Sequence, residues 1–536
     1  MTSLLDLFAV PPALLALGEP THGESAFLQI RNEAFMSLAE HGYRSIALES
    51  DRAAGLIADE FVRGSAVVTL DRALAEGFSH GFGAAPANRD LLLRMREYNV
   101  GRSAAERLTF HGFDAPLEIE GAPSPRRYLT RVCDFLDLDR CAEIDDLIGD
   151  EARWSDTAAI WEPGRSIGCS ADAQRLRVIA DDLLTELYLQ APRRPEGWHT
   201  AFVHATSAVA VLRYHAAAAA PLKQEERFAR LVEVRDALMA ENLLAIRSAE
   251  AHRGPTLVFA HNTHLQRHLS TMTMAGTDVS WAGAGAIIAA LLDDRYAVIV
   301  GSLGASPALG IEAPAPSTYE GRLQQGTTLP RYVRASDIET AEQRTHDYRY
   351  FPLDQATIEH ADAVLHIPSG VNAAMLADRI LALPGVEQFV ASEENGSPES
   401  AWGDRFFYVG PDRRQPFATI VEHDVPGFDV ASQLDRPGVF RLNLDLGRAE
   451  FENLFGFPPR AFEDHRHEFD FARLDTFVPH PGYALYGFGS IVMPGPHMLP
   501  EIDRLLAIAH ARAVNRHERA ERRAADQQTH AADQQD

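Results

Sequence analysis

Acidic residues and histidines follow several short apolar segments of this 536-residue chain. Each segment is typical of a buried strand, and the titratable residues come at or just beyond its carboxyl end. They are Glu19 and His22, then Glu49, then His111 and Asp114, and then His261 and His264. In parallel α/β sheets, ligands bind outside the carboxyl ends of the strands. We therefore expect these side chains to meet at one edge of a sheet.

Imidazoles beside carboxylates are suited to hydrolysis by general-base catalysis. An imidazole takes a proton from water, while a carboxylate fixes its tautomer and supports the imidazolium that forms. A helix cap, a turn or a solvated group would explain any one of these residues equally well. Only their combination at four strand ends favours a catalytic site.

Three further polar residues have two interpretations each. Arg31, on the predicted helix after His22, is either in a surface salt bridge or a cation that clamps a substrate carboxylate or an oxyanion. Arg235 and Asn242 lie seven residues apart on the apolar stripe of a predicted helix. They either line the pocket or are core residues with satisfied hydrogen bonds.

The elements that position these residues follow from the hydrophobic pattern. A strand at 14–17, a helix at about 25–41 and a strand at 45–48 form a βαβ unit, which implies a parallel sheet. Further strands are predicted at 107–110, 256–260, 296–300 and 363–367. Residues 125–250 are mostly helical by pattern, and the clearest helix is 224–250. The predicted fold class is α/β: a mainly parallel sheet with helices on both faces and a large helical insertion, followed by a smaller α+β domain.

The pattern changes near residue 370. Beyond it come shorter predicted strands at 405–409, 417–421 and 439–444, separated by turn residues. We predict an α/β domain at 1–370, which carries the candidate hydrolytic residues, and a separate α+β domain at 371–515. The polar segment 516–536 is expected to be disordered.

Composition excludes several classes of partner. The formal net charge is 50 − 76 = −26, which argues against nucleic acid and anionic membrane surfaces. No apolar run reaches the length of a membrane span, and residues 1–10 lack the features of a secretory signal. The three cysteines, Cys133, Cys141 and Cys169, form no Cys-x-x-Cys pair. We expect a cytoplasmic protein with no disulfide framework.

Two other enzyme classes lack the residues that they need. The chain has no Gly-Lys-Ser/Thr loop, which disfavours a P-loop protein. Lys223 is the only lysine, so a Schiff-base mechanism is disfavoured.

Five segments together resemble the erythromycin esterase family over about residues 12–370. They are Gly18-Glu19-Pro20-Thr21-His22-Gly23, Arg31, Ala47-Leu48-Glu49, Arg235-Asp236 with Met239-Ala240-Glu241-Asn242, and Ala260-His261-Asn262-Thr263-His264. The resemblance implies hydrolysis of a macrolide lactone, and hence antibiotic resistance, with His22 as the base that activates water. It also implies that Glu19, Arg31, Glu49, His261 and His264 line the cleft.

The leading hypothesis is a carboxylic ester hydrolase that needs no cofactor and acts on a small-molecule ester or lactone. In it, His22 deprotonates water, and Glu49, Glu19 or both orient the imidazole and the water. Arg31 with His261 or His264 stabilises the oxyanion. His111, Asp114, Arg235 and Asn242 are further candidates for the substrate side of the site.

Two other hypotheses stay open. His22, His261 and His264, with Glu19 or Glu49, could hold a divalent metal ion that activates water. Alternatively, the cleft could bind a polyketide, a peptide or haem without hydrolysis, with His22 or His264 as an axial haem ligand. The sequence does not predict the oligomeric state.

The C-terminal region resembles a small actinobacterial domain family of unknown function. The resemblance rests on 391–396, 416–421, 434–441 and 478–483 and implies no activity. Asp435, Arg436 and His480 in these segments are interpreted as turn residues.

Overall fold

The computed structural model describes residues 4–118, 121–274, 276–327, 329–345, 350–410, 413, 415–436 and 438–532. Pro437, in one of the C-terminal motifs, lies outside the described residues. The chain divides into two compact units. The first extends to Gly304 and adds Ala313–Gly326 and Arg331–Ile367. The second comprises Ala305–Glu312, Thr327–Pro330 and the chain from Pro368 onward. That 371–515 forms an independent domain stays a prediction.

The described chain contains nine strands up to residue 369. They are β1 (Leu14–Glu19), β2 (Ser45–Asp51), β3 (Thr109–Asp114), β4 (Thr256–His261), β5 (Leu269–Met274), β6 (Thr277–Ala282), β7 (Tyr296–Ala305), β8 (Arg331–Arg334) and β9 (Ala363–Ser369). Seven of these form one sheet in the order β3-β2-β4-β1-β7-β9-β8, and β5 pairs with β6. The pairs β1–β4, β1–β7, β2–β3 and β2–β4 are parallel, and β8–β9 is antiparallel.

Helices connect these strands. They are α1 (Ser25–Glu40), α2 (Arg52–Val62), α3 (Leu70–Glu76), α4 (Pro86–Asn99), α5 (Arg126–Leu136), α6 (Cys141–Ile148), α7 (Ala171–Gln190), α8 (Trp198–Ala218), α9 (Gln224–Glu250), α10 (Asn262–Leu265), α11 (Ala284–Leu292), α12 (Tyr319–Leu323) and α13 (Gln355–His360). Every residue of β1, β2 and β4 is buried, so both faces of the central sheet are covered. The predicted α/β class with a helical insertion, here α5–α9, is confirmed.

The second unit contains an antiparallel sheet with flanking helices. Its strands, in the order β10-β11-β12-β13-β15-β14, are β10 (Val386–Val390), β11 (Arg405–Val409), β12 (Ala418–Val421), β13 (Arg441–Asp445), β14 (Phe477–Pro479) and β15 (Phe488–Val492). Its helices are α14 (Ala373–Leu381), α15 (Gly447–Phe455), α16 (Phe462–His465) and α17 (Leu499–Ala532). The predicted α+β class of this region is confirmed.

Two local expectations differ from the structure. Strand β3 begins at Thr109 and continues to Asp114, so His111 and Asp114 belong to the strand and not to the loop after it. Helix α17 runs to Ala532, through most of the tail that the sequence predicted to be disordered. Arg, Glu, Ala and Gln in that tail are all good helix formers, so polarity alone was a poor guide. No helix in the described part of the chain is both long and apolar enough to cross a membrane.

A close contact above strand β1 fixes the edge of the sheet that carries the titratable residues. The side-chain amide of Asn262 accepts a hydrogen bond from the backbone N–H of Gly301 and donates one to its carbonyl, both at 2.9 Å. The amide lies directly over Gly18, where an added Cβ would be 2.1 Å from the Asn262 oxygen. Only glycine therefore fits at position 18.

Gly18→Ala is expected to destabilise the protein by about 1–3 kcal/mol, the usual cost of overpacking a close-packed site. The measurement is the melting temperature at pH 7. Gly164→Ala is a matched control, because a Cβ at Gly164 meets no atom within 4 Å. Equal melting temperatures for the two variants would contradict the role given to Asn262.

Candidate active site

The carboxylate of Glu49 near the end of β2 is buried at the centre of a cluster of titratable side chains. Its Oε1 atom lies 3.3 Å from Nη2 of Arg235, 3.4 Å from Nε2 of His264 and 3.9 Å from Nε2 of His22. Its Oε2 atom accepts a 2.8 Å hydrogen bond from the backbone N–H of His261. Groups from three separate segments of the chain therefore converge on one carboxylate.

The parallel register of the sheet explains this convergence. Glu19, the last residue of β1, pairs with His261, the last residue of β4. Leu48 in β2 pairs with Phe259 in β4, which brings Glu49 to the same edge. The helix that follows β2 is capped by Asp51, whose Oδ1 accepts the N–H of Ala53. Glu49 is therefore not needed as a helix cap.

The neighbours of Glu49 keep it ionised. Burial alone raises the pKa of a carboxyl group, because a charge is poorly solvated inside a protein. The charges of His264, His22 and Arg235 outweigh burial and hold the pKa of Glu49 well below its usual range. Glu49 is therefore an anion over the whole range in which the protein is expected to work.

His22 lies in the loop after β1 and pairs with Glu19. Its side chain is 42% exposed, while Glu19 is buried, and Nδ1 of His22 lies 2.8 Å from Oε1 of Glu19. Burial lowers the pKa of His22, but the hydrogen bond to Glu19 and the charge of Glu49 outweigh it and raise the pKa to about 9. At neutral pH the imidazole is therefore mostly protonated.

The second oxygen of Glu19 has no hydrogen bond of its own. Among the described residues, none is a hydrogen-bond partner of its buried Oε2 atom. Burial raises the pKa of Glu19, although the bond to His22 opposes this effect. A buried acceptor beside an exposed imidazole is suited to receive a hydrogen bond from a bound molecule.

His264, in the short helix α10, is held between two carboxylates. Its Nδ1 lies 2.8 Å from Oδ1 of Asp236, and its Nε2 faces Glu49. Asp236 also accepts hydrogen bonds from Nε1 of Trp281 and the N–H of Ala284. Burial lowers the pKa of His264, but Asp236 and Glu49 outweigh it and raise the pKa. His264 is therefore favoured as a cation.

His261 differs from the other two histidines of the cluster. Its Nδ1 accepts a hydrogen bond from the backbone N–H of Thr263, and its ring packs edge-on against Phe351 with centroids 4.7 Å apart. Burial, reinforced by the charge of His22, lowers the pKa of His261 to about 3. The imidazole of His261 is therefore neutral. What the residue contributes to the cluster is its backbone N–H, which bonds to Glu49, and the surface of its ring.

Arg235 bridges two carboxylates at the partly open side of the cluster. Its side chain is 26% exposed. Besides Glu49, it contacts Asp114 through Nη2 at 2.6 Å and Nε at 3.1 Å. Asp114 also lies 3.0 Å from Nε2 of His80. Burial lowers the pKa of Arg235, but the charges of Asp114 and Glu49 outweigh it and raise the pKa.

Arg31 and Asn242 are used inside the protein. Arg31 is only 1% exposed, and its guanidinium donates to the side chains of Asn32 and Asn88. It is thus neither in a surface salt bridge nor directed at a substrate in this conformation. Asn242 is 8% exposed and donates to the carbonyl of Phe113 at 3.0 Å. Both residues are buried polar anchors. For Asn242 this is the core interpretation given above, and for Arg31 the expected clamp on a substrate or oxyanion is not seen in this arrangement.

His111 lies outside the cluster, contrary to expectation. It precedes Asp114 by three residues in β3, and residues an odd number apart in a strand point to opposite faces. Its Nε2 lies 3.0 Å from Oε1 of Glu250. Glu250 follows Asp236 by 250 − 236 = 14 residues in α9, which is about 21 Å along the helix axis.

Metal binding, the second hypothesis from the sequence, would compete with hydrogen bonds that His261 and His264 make. Within the described ranges, no group of three or more His, Cys, Asp or Glu side chains is arranged to hold a metal ion. Both ring nitrogens of His264 face carboxylates, and Nδ1 of His261 accepts the N–H of Thr263. A nitrogen that binds a metal or haem must direct a lone pair at the ion, so ligation would require these bonds to break.

The sequence interpretation missed the roles of Asp236 and His80. Asp236 lies three residues before Met239 and seven before Leu243 on the buried face of α9, and a carboxylate on an apolar stripe is a usable signal. His80 lies in a loop between α3 and α4 with no periodic pattern. It is the fourth residue of Gly77-Phe78-Ser79-His80-Gly81, a Gly-x-Ser-x-Gly match that the sequence interpretation did not use.

Glu49→Gln is expected to destabilise the protein by about 2–4 kcal/mol. The amide oxygen can accept the His261 N–H only if the NH₂ group faces Arg235 and His264. Donors would then face donors, and Arg235 and His264 would lose the anion between them. The measurement is the melting temperature at pH 7.

The matched control is Glu241→Gln. Glu241 is 61% exposed and pairs with Arg213 at 2.9 Å, and exposed pairs contribute about 1 kcal/mol or less. If Glu49→Gln melts no lower than this control, the carboxylate does not hold the cluster together.

Three solved structures share the fold over 69% of this chain. One is a protein from Bacillus cereus (15% identity, TM-score 0.51, 91% of that chain covered). The second is described as a succinoglycan biosynthesis protein (16%, 0.51, 90%). The third is an erythromycin esterase mutant in its open conformation (17%, 0.50, 93%). At such identities the likeness shows the fold alone.

Two family models match this chain, one for each of the two regions described in the sequence analysis. A family of unknown function (DUF6194) matches residues 371–523, and erythromycin esterase matches residues 38–372. The second match begins after Glu19 and His22, so it carries no information on these two residues. No curated protein matches the chain significantly. Because the larger match covers 372 − 38 + 1 = 335 of the 536 residues, the chain belongs to the erythromycin esterase family.

Proposed function

We propose that this protein is a hydrolase that opens an ester or lactone with water activated by His22. The observation that carries the proposal is the 2.8 Å pairing of an exposed imidazole, His22, with a buried carboxylate, Glu19. Membership of the family supports ester hydrolysis and a small-molecule substrate. A macrolide-type lactone is the substrate class that we propose.

Glu19 selects the tautomer of the base. An ionised carboxylate can only accept hydrogen bonds, so Nδ1 of His22 donates to Glu19. In the neutral imidazole the lone pair is then on Nε2. This is the arrangement in which a histidine can take a proton from water while a carboxylate supports the resulting charge.

The attacking water is proposed to lie between His22 and Glu49. Nε2 of His22 and Oε1 of Glu49 are 3.9 Å apart, which is too long for a direct hydrogen bond but suits a water that contacts both. The water gives a proton to Nε2 as its oxygen attacks the carbonyl carbon. The imidazolium returns that proton to the leaving alkoxide, which yields an acid and an alcohol, or a hydroxy acid from a lactone. Such base catalysis contributes about 10²–10⁴-fold.

His264 and Arg235 are the proposed donors to the oxyanion. Arg235 is a cation, and Asp236 and Glu49 outweigh burial and raise the pKa of His264, which favours its protonated form. The partial exposure of Arg235 leaves it accessible to a substrate. One well-placed donor to an oxyanion contributes about 10²–10³-fold. We assign this role to these two cations and no longer to Arg31, which is enclosed.

The remaining expectations belong to the same proposal. The reaction needs no metal, because the proton acceptor and the cationic donors are protein groups. The protein acts in the cytoplasm on a small molecule, and opening of a macrolide would confer resistance to that antibiotic.

The direct test is mass spectrometry of a panel of macrolides and simple esters after incubation with the protein. We expect at least one compound to gain one water or to be cleaved, with full activity in a chelator. His22→Ala should lose nearly all of this activity while remaining folded. His41→Ala, which alters an exposed histidine bonded to a backbone carbonyl, should behave as the unaltered protein. Activity lost in the chelator, or kept in His22→Ala, would contradict the mechanism.

The pH dependence of hydrolysis gives a second test. Because the pKa of His22 is raised to about 9 and the base must be neutral, the rate should rise about tenfold per pH unit from pH 7 and level off above pH 9. Glu19→Gln should move this inflection to lower pH and lower the plateau, because the bond to Glu19 raises the pKa of His22. Glu241→Gln should leave the profile unchanged. A rate that falls between pH 7 and pH 9 would exclude His22 as the base.

A further inference from the structure

An aromatic side chain, that of Phe82, lies beside the proposed base. Its ring centroid is 5.3 Å from that of His22 and 5.6 Å from that of His80. The side chain is half-buried. It belongs to the segment Ser79–Gly83, which precedes α4 and has no part in the mechanism derived above.

Hydrogen bonds hold this segment at three places. Ser79 bonds to the end of β2, because its N–H donates to Oγ of Ser50 and its own Oγ accepts the N–H of Asp51, both at 2.9 Å. His80 bonds to Asp114, which in turn holds Arg235.

The third place at which the segment is held is the carbonyl of Phe82, which is linked through Asn88 to the buried Arg31. The carbonyl of Phe82 accepts a 2.8 Å hydrogen bond from Nδ2 of Asn88. The Oδ1 atom of Asn88 in turn accepts one from Nη2 of Arg31, also at 2.8 Å. Arg31 therefore positions Phe82 through Asn88 and does not itself face the site.

The backbone of the segment is in an uncommon conformation. His80 has φ +56° and Gly81 has φ +71°, and the left-handed region is unfavourable for a residue with a side chain. A Cβ at Gly83 would lie 1.8 Å from the carbonyl of Leu74. Such strain persists only where surrounding contacts enforce it, and it concentrates at functional sites.

We propose that Phe82 is a specificity-determining residue that contacts an apolar acyl group of the substrate. This inference rests on the proposed ester hydrolysis. The groups that converge on the reacting atoms, Glu19, Glu49, His264 and Arg235, are charged. Phe82 supplies an apolar surface next to the exposed His22, within reach of a group attached to the scissile carbonyl, and we assign this surface to the acyl chain. The substrate class is therefore esters or lactones with an extended apolar group on the acyl side.

The test compares two aryl esters that differ only in the acyl chain, p-nitrophenyl acetate and p-nitrophenyl hexanoate. Phe82→Ala should lower kcat/KM for the hexanoate about tenfold, through KM, and change the acetate by less than about twofold, because only the longer chain loses apolar contact. Phe82→Leu should restore most of the preference. Tyr188→Ala, at an aromatic residue that is 61% exposed and contacts Trp198 and Phe202, should change neither ester.

If Phe82→Ala lowers kcat/KM equally for both esters, Phe82 only packs against His22. If it lowers neither, Phe82 contacts no substrate. Either result overturns the inference.

If the unaltered protein cleaves neither these esters nor any compound of the panel, the proposed hydrolysis fails instead. In that case the role of Phe82 is decided by the binding of 2-heptanone, the methyl ketone that carries the same acyl chain as the hexanoate. Its binding is measured by ligand-observed NMR. About tenfold weaker binding to Phe82→Ala supports the apolar subsite, and equal binding overturns it.

Discussion

One buried anion, the carboxylate of Glu49, is the constraint on which the site depends. A carboxylate removed from water is costly unless charges and hydrogen bonds compensate it. Here the compensation comes from Arg235 in α9, from the backbone N–H of His261 at the end of β4 and from His264 in α10. His22, in the loop after β1, completes it. No local segment could supply these groups, so the parallel register of the sheet and the docking of α9 are what make the site.

The groups around Glu49 differ in charge, and these differences favour protonation of His22 and His264 while His261 stays neutral. His264 lies between Asp236 and Glu49 and is favoured as a cation. His261 is buried, accepts the N–H of Thr263 and stays neutral, because burial lowers its pKa to about 3. His22 lies between Glu19 and Glu49 but is exposed, so a bound substrate that displaces water can shift its pKa. The three histidines therefore differ in chemistry because their hydrogen-bond partners differ.

The sequence predicted the part of the site that follows from strand ends. Glu19, Glu49, His261 and His264 were expected at one edge because the carboxyl ends of parallel strands meet there, and the structure brings them together. His111 was misplaced because β3 begins later than its apolar run suggests, so that strand alternation turns the side chain away. His80 could not be predicted, because its position depends on a loop whose path is set by tertiary hydrogen bonds. Asn242 was ambiguous, since a polar residue on a buried stripe is compatible with either a pocket or an anchor. For Arg31 the sequence offered a surface salt bridge or a cation clamp, and its burial against Asn32 and Asn88 matches neither.

The most direct test of this account is the titration of His22 by NMR in protein labelled with ¹⁵N at histidine, with the resonance assigned from His22→Ala. The account predicts that His22 titrates near pH 9. It also predicts that Glu49→Gln moves the midpoint toward the ordinary value of 6.5, because one of the two anions beside the ring is lost. A midpoint near 6.5 in the unaltered protein, unchanged in Glu49→Gln, would contradict the claim that the Glu49 anion organises the charges of the site.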